Sequence, residues 1–291
     1  MQTGPPLRND GRDGARRRGA AAFPGLAVIR RHDSSGGRNT RSRPRASRQL
    51  PPRLRRLGTP RSANTKAIVI NSPNNPTGAV YTREEVKQIV DFAVKHDLWI
   101  LDDMIYSTLV WSEEGYTSPC AFPGGPERTI TIGGWSKGWA MTGWRLGWVT
   151  GPTNVMNGVK KINVSAATHV PTFLMPAAEK ALGLKEEVEA MQEAFAERRL
   201  AIHEGFASLP GVVAPRPEGA FYILCDITGT GMTDMEFAKE ALEQAKVQLI
   251  PGSLMKGGEG LVRISYATSL ENIHEGVRRL RTWLESRGSQ G

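Results

Sequence analysis

One lysine in an unusual setting is the first candidate for chemistry. Lys137 lies within Ile132-Gly133-Gly134-Trp135-Ser136-Lys137-Gly138-Trp139-Ala140-Met141-Thr142-Gly143-Trp144-Arg145-Leu146-Gly147-Trp148, and Arg145 follows it by eight positions. Apolar neighbours strip water from an ammonium, weaken its hold on the proton and free the amine to attack a carbonyl. Schiff-base chemistry needs such an amine. The glycines let the backbone turn tightly or approach a ligand closely. For Lys-Gly alone a solvated loop lysine is the simpler reading; for the whole run a reactive amine is preferred.

The elements around this run are those of a sheet that delivers several strand ends to one place. Lys66 to Ile70 is a short apolar, β-branched run, read as a buried strand. Asn71-Ser72-Pro73-Asn74-Asn75-Pro76-Thr77-Gly78 follows it as a turn cluster. Thr82 and Glu85 have the spacing of a capping box, opening a helix with Val86, Ile89, Val90, Ala93 and Val94 as its buried stripe. Leu98 to Leu101 reads as the next strand and ends in Asp102-Asp103-Met104-Ile105-Tyr106. Arg128 to Gly133 reads as a third strand running into Lys137, and Arg145 to Thr150 as a fourth. Strand–helix–strand order implies a mostly parallel sheet with flanking helices, whose carboxyl edge is where ligands sit.

Beyond this, Pro152 to Ile162 and Pro171 to Leu182 read as helices. Glu186 to Ser208 is a longer one, with Val188, Met191, Phe195, Ile202 and Phe206 at helical spacing. Glu218 to Leu224, Val247 to Pro251 and Leu261 to Tyr266 read as strands. Thr233 with Glu236 caps another helix, and Ser269 to Glu285 forms the last.

Composition narrows the function classes. The 291 residues suffice for one or two domains with a sizeable core. No run of about twenty apolar residues occurs, which argues against a membrane-spanning helix. Cys120 and Cys225 have no metal or redox spacing, so no metal site is expected, and reduced thiols in a cytoplasmic protein are. The formal charge of +9 is unevenly placed: residues 1–63 hold sixteen Arg, no Lys and three acidic residues, while the remainder is mildly acidic.

That leader, residues 1–63, reads as a disordered Arg/Pro/Gly-rich segment without helical or strand period. A nucleic-acid tail would use its charge but lacks aromatics for stacking beyond Phe23. A mitochondrial presequence needs an amphipathic helix that seven prolines and eight glycines spoil. Charge alone does not explain excluding lysine so completely. A GC-rich gene read in the wrong frame does, and a return to the native frame near Asn64 is expected.

The run around Lys137 closely resembles the cofactor-lysine segment of the class I/II, aspartate-aminotransferase-like branch of the fold-type-I pyridoxal-phosphate (PLP) enzymes. The resemblance covers residues 64–285. It implies that Lys137 forms a Schiff base with PLP and that Ser136 and Arg145 hold the phosphate. The second serine usual three residues before the lysine is Gly134 here. Asp103, in the family's Asp-x-x-Tyr pattern with Tyr106, is implied as partner of the pyridine nitrogen. Asp102 is left out, as a helix-start or surface carboxylate. Tyr106 and Asn75 are implied as hydrogen-bond partners of the cofactor's phenolic oxygen. Gly260-Leu261-Val262-Arg263-Ile264-Ser265-Tyr266 matches the segment whose arginine grips the substrate α-carboxylate, which assigns Arg263 to that task.

The architecture implied is α/β, PLP-dependent transferase fold type I, with a small α+β carboxyl-terminal domain. Residues 64–195 would be the remainder of the large PLP-binding domain and 196–291 the small domain, bridged by the helix at 186–208. The implied activity is amino-group transfer between an L-amino acid and a 2-oxo acid, in a homodimer. Family members carry a long stretch ahead of the Asn-Pro-Thr-Gly turn, including a phosphate loop and side-chain specificity contacts. Ser34-Ser35-Gly36-Gly37 does not replace that loop, since no strand precedes it and no helix follows. Weak or absent turnover and an unpaired, sticky sheet edge are therefore expected. The competing readings are a PLP-dependent carbon–sulfur lyase, a PLP-binding transcription regulator and a non-functional fragment.

Overall fold

The structure is a computed structural model that describes residues 18–22, 26–30, 64–255 and 257–288. Its first sheet has six strands in the order of the chain: β1 (Arg18–Ala22), β2 (Leu26–Arg30), β3 (Thr65–Asn71), β4 (Trp99–Asp103), β5 (Thr129–Gly134) and β6 (Gly147–Thr150). The centre β3–β4–β5 is parallel, while β2 joins β3, and β6 joins β5, antiparallel. The sheet is thus mixed, with a parallel heart.

Helix α1 (Arg83–Lys95) makes the crossover from β3 to β4. Its start is the expected capping box. The Thr82 hydroxyl accepts from the Glu85 amide and the Glu85 carboxylate from the Thr82 amide, so two end donors are satisfied reciprocally. Val86, Ile89, Val90 and Ala93 are buried against Ile68, Ile70 and Ile100 of the sheet, whereas Val94 lies at the rim. Each fully buried Val or Ile contributes about 1.5–3 kcal/mol. This packing fixes the height of the β3 and β4 ends.

Past the short helix α2 (Trp135–Gly138), the chain makes a tight turn rather than entering a strand directly. Arg145 lies in the left-handed region (φ 54°), and β6 begins only at Gly147. Helix α3 (Thr153–Ala166) buries none of its side chains among the described residues, and α4 (Met175–Leu182) buries Ala178 and Ala181.

Helix α5 (Lys185–Ala207) runs from this part of the chain to a second layer. There, β7 (Tyr222–Asp226), β8 (Ile250–Pro251) and β9 (Leu261–Ser265) form an antiparallel sheet in the order β7–β9–β8. Helices α6 (Asp234–Glu243), again opened by a Thr233–Glu236 capping box, and α7 (Leu270–Gly288) cover it. Phe206, Phe237, Ile223, Val262, Tyr266 and Leu280 centre a core separate from that of the first sheet.

Two expectations are corrected. The leader supplies two strands, where no strand period was expected, and β2 pairs with β3, so that edge is covered. The signal was Leu26-Ala27-Val28-Ile29, a short apolar run with two β-branched residues amid arginines. Residues 218–221 are not strand either. The Glu218 and Gly219 amides donate to the Gly78 carbonyl, and the Ala220 amide to that of Leu109, so this segment ties the two layers together. The remaining expectations for the leader, Ser34-Ser35-Gly36-Gly37 included, fall outside the described residues.

Candidate active site

Parallel register sets β3 and β4 level, so their carboxyl ends present Asn71 beside Asp103. The Asn71 amide donates to Asp103 Oδ2 at 3.1 Å, and the Ile105 N–H to Oδ1 at 3.4 Å. Burial nonetheless raises the Asp103 carboxyl above its ordinary value, since these donors offset only part of the lost hydration. A cation beside it would restore the charged form.

Alternation along β4 sends Asp102 to the other face, toward the α1 core. There it is fully buried, and the Tyr116 hydroxyl donates to its Oδ2. Burial raises it to about 6 despite that bond. The reading of Asp102 as a helix-start or surface carboxylate is therefore wrong, because neighbouring strand residues face opposite sides. Setting it apart from Asp103 agrees with its position.

The Asn71–Gly78 turn is held by its own side chains. Asn71 Oδ1 accepts from the Asn75 amide N–H at 2.9 Å and from the Asn74 side chain at 3.1 Å, and the Thr77 hydroxyl donates to Asn74 Oδ1 at 2.7 Å. The Ser72–Pro73 and Asn75–Pro76 bonds are both cis. Asn75 also reaches the second layer: its Oδ1 accepts from Arg263 Nη1 at 3.0 Å. Arg263 is half-buried on β9.

Tyr106 is buried just beyond β4. Its hydroxyl lies 3.3 Å from that of Tyr222, and Asn75 is a further hydrogen-bond partner. Burial first, and then Tyr222, push the Tyr106 phenol well above its ordinary value, so it is a hydrogen-bond donor and not a base at neutral pH. The Lys137 amine, in the last turn of α2, lies 5.7 Å from the centre of the Phe221 ring, and that ring meets Tyr106 edge-on at 5.4 Å. Asn75, Asp103, Tyr106, Lys137 and Arg263 thus come from four separate segments into one neighbourhood, linked through Asn71, Phe221 and Tyr222.

Arg145 stands apart. It is exposed, and its Nη1 donates to the Thr142 carbonyl at 3.0 Å. Ser136 is half-buried on α2 next to Lys137. Gly134 is tightly placed: a Cβ there would lie 2.8 Å from the Leu146 carbonyl oxygen, so a serine would push β6 outward.

Residues 53–280 match the aminotransferase class I and II family. The chain belongs to that family. Among curated relatives, it is 41% identical over 220 residues to an aspartate aminotransferase of Pyrococcus abyssi, covering 74% of this chain and 56% of that protein. It is 40% identical to aromatic-amino-acid aminotransferase 2 of Thermococcus litoralis, covering 77% and 58%. A solved aromatic aminotransferase from Pyrococcus horikoshii superposes with a TM-score of 0.75 at 40% identity, over 77% of this chain and 61% of that one. The chain therefore spans less than three-fifths of the length of these two curated aminotransferases.

Class I and II aminotransferases are PLP-dependent, and the donor set here suits that cofactor: an amine, a half-buried carboxylate in need of a cation, a phenol, a carboxamide and a guanidinium. Sequence reading missed Asn71, Phe221 and Tyr222 at this site. Asn71 was visible only as a turn residue, and Phe221-Tyr222 only as part of a core strand. Register and the crossing of 218–221 between layers bring them in, and neither is written in local pattern. Among the described residues no helix is long and apolar enough to cross a membrane, and no cluster of metal ligands occurs.

Proposed function

We propose that this chain binds PLP at Lys137 and carries the amino-group transfer chemistry of its family, exchanging nitrogen between an L-amino acid and a 2-oxo acid. The observation that carries the reading is the meeting of Lys137, Asp103, Tyr106, Asn75 and Arg263 from separate segments of both layers. When bound, the cofactor supplies an electron sink for bonds broken at the substrate α-carbon.

Each side chain has a task that its setting supports. Lys137 would hold the cofactor covalently, and its amine is the group that would move a proton at the substrate α-carbon. Asp103 would hold a proton on the cofactor's ring nitrogen, and a positive charge there would favour the carboxylate that burial disfavours. Tyr106 and Asn75 would donate to the cofactor's phenolic oxygen. Ser136 and Arg145 would hold its phosphate, Arg145 on turning from the Thr142 carbonyl. Arg263 exchanges Asn75 for the substrate α-carboxylate, fixing the α-carbon bonds relative to the ring.

The domain division at about residue 195, the homodimer and the cytoplasmic setting belong to the same reading. The two cysteines are free, Cys120 exposed and Cys225 buried, in keeping with a reducing compartment. Incubation of the PLP-loaded chain with L-aspartate or L-phenylalanine and 2-oxoglutarate tests the reading. Formation of 2-oxo acid that Lys137→Ala abolishes is expected. Equal rates for both proteins would refute it.

A further inference from the structure

We propose that Tyr222 is a positioning residue that couples the carboxylate-binding guanidinium of Arg263 to the phenol of Tyr106. The inference rests on the functional reading above and extends it to a residue that was given no role there. Tyr222 opens β7, where Leu224 pairs with Arg263 of β9. Residues two apart in a strand share a face, so Tyr222 and Arg263 are diagonal neighbours on one side of the sheet. The guanidinium carbon lies 5.0 Å from the centre of the Tyr222 ring, within the range of cation–π attraction.

The other end of the same side chain reaches the first layer. Its hydroxyl is 3.3 Å from that of Tyr106, and the two rings meet edge-on at 5.9 Å. Asn75 closes the circuit, accepting from Arg263 and bonding Tyr106. Four side chains from β7, β9, the turn after β3 and the end of β4 therefore form a closed ring. The ring joins the group that reads the substrate carboxylate to the group that faces the cofactor's phenolic oxygen.

The Tyr106 hydroxyl has one hydrogen to give, and with no acceptor in the site it donates it to the Tyr222 hydroxyl. When it gives that hydrogen to an acceptor in the site, its oxygen can accept one from Tyr222. A donor that itself accepts is polarised into a stronger donor. Tyr222 thus strengthens Tyr106 as a donor at one end and fixes the plane and height of Arg263 at the other. Removing only the hydroxyl should weaken the first effect and spare the second. Removing the ring should lose both.

The full chain loaded with PLP, compared with Tyr222→Phe and Tyr222→Leu, separates these effects. The first readout is the pH midpoint of the bound cofactor's visible absorbance. A weaker donor at the phenolic oxygen leaves more negative charge beside the protonated nitrogen attached to Lys137. The midpoint should then rise in Tyr222→Phe, by about 0.5 to 1. The second readout is the dissociation constant of maleate, a dicarboxylate probe, which should be little changed in Tyr222→Phe and roughly two- to fivefold weaker in Tyr222→Leu. An unchanged or lowered midpoint in Tyr222→Phe, or maleate binding equal in all three proteins, overturns the inference. If both variants lose absorbance and maleate binding in step with melting temperature, Tyr222 only stabilises the fold and the inference is likewise wrong. If the unmodified chain develops no visible band with PLP, the functional reading fails first and takes this one with it.

Discussion

Asp102 and Asp103 are neighbours in sequence and opposites in setting, and the difference has a measurable consequence. Asp102 is raised from 3.8 to about 6 by burial against the α1 core. The fold keeps a proton that the unfolded chain surrenders, so stability is greatest below about pH 4 as far as this group is concerned. It falls as pH rises to about 6, by about 3 kcal/mol in all. Asp102→Asn should remove that slope and melt higher near neutrality. Melting curves of the two proteins across this range check it, and parallel curves would contradict it. At this scale Lys137 stood out by its residue type and setting, whereas Asp103 with Tyr106, and Arg263, were nominated only by resemblance to a family's segments; what the structure adds is that these side chains come near one another. The sequence was silent on Tyr222, because an aromatic beside Phe221 in an apolar strand looks like core. Only the approach of a second layer turns its hydroxyl toward Tyr106.

Elements place these groups by their ends. The α1 capping box was readable because Thr82 and Glu85 are three apart ahead of an apolar stripe, and Thr82→Ala should cost about 1 kcal/mol in chemical denaturation without altering the site. Gly78 has a larger role. It is at φ 71°, and a Cβ there would lie 2.6 Å from Pro217 Cβ and 2.7 Å from the Tyr222 carbonyl oxygen. Gly78→Ala should cost at least about 1–2 kcal/mol from conformation alone. It should also displace the 217–222 segment, seen as weaker PLP binding than in Thr82→Ala at matched stability. The turn residues announced a turn, but not that its glycine receives a segment 140 positions away in sequence. Arg145 failed as a strand residue for a related reason: its left-handed conformation ends the helical turn before β6 begins, and nothing local in Trp-Arg-Leu-Gly requires that.

At the scale of the molecule, two sheets with separate cores are stitched by α5 and by the 217–222 segment, which was legible as α/β followed by α+β. The strands of the leader were not legible, because a short apolar run among arginines carries little periodic signal. The outer surface around β6 has its own prediction. All four β6 residues are exposed, and so are Trp144, Ile162, Phe173, Met175 and Leu182. Among the described residues β6 is paired on one side only, and such a strand flanked by apolar side chains is a template for association. Sedimentation should show species that grow with protein concentration, and Val149→Lys should shift them toward the monomer; an identical profile for both proteins would contradict this.

The central claim is that groups from separate segments of both layers enclose one PLP molecule attached to one lysine. Incubation of the full chain with PLP, reduction with borohydride and peptide mapping tests it most directly. The account predicts a phosphopyridoxyl group on Lys137 and on no other lysine, with labelling reduced in Asp103→Ala. Label spread over surface lysines, or concentrated on a lysine other than Lys137, would contradict it.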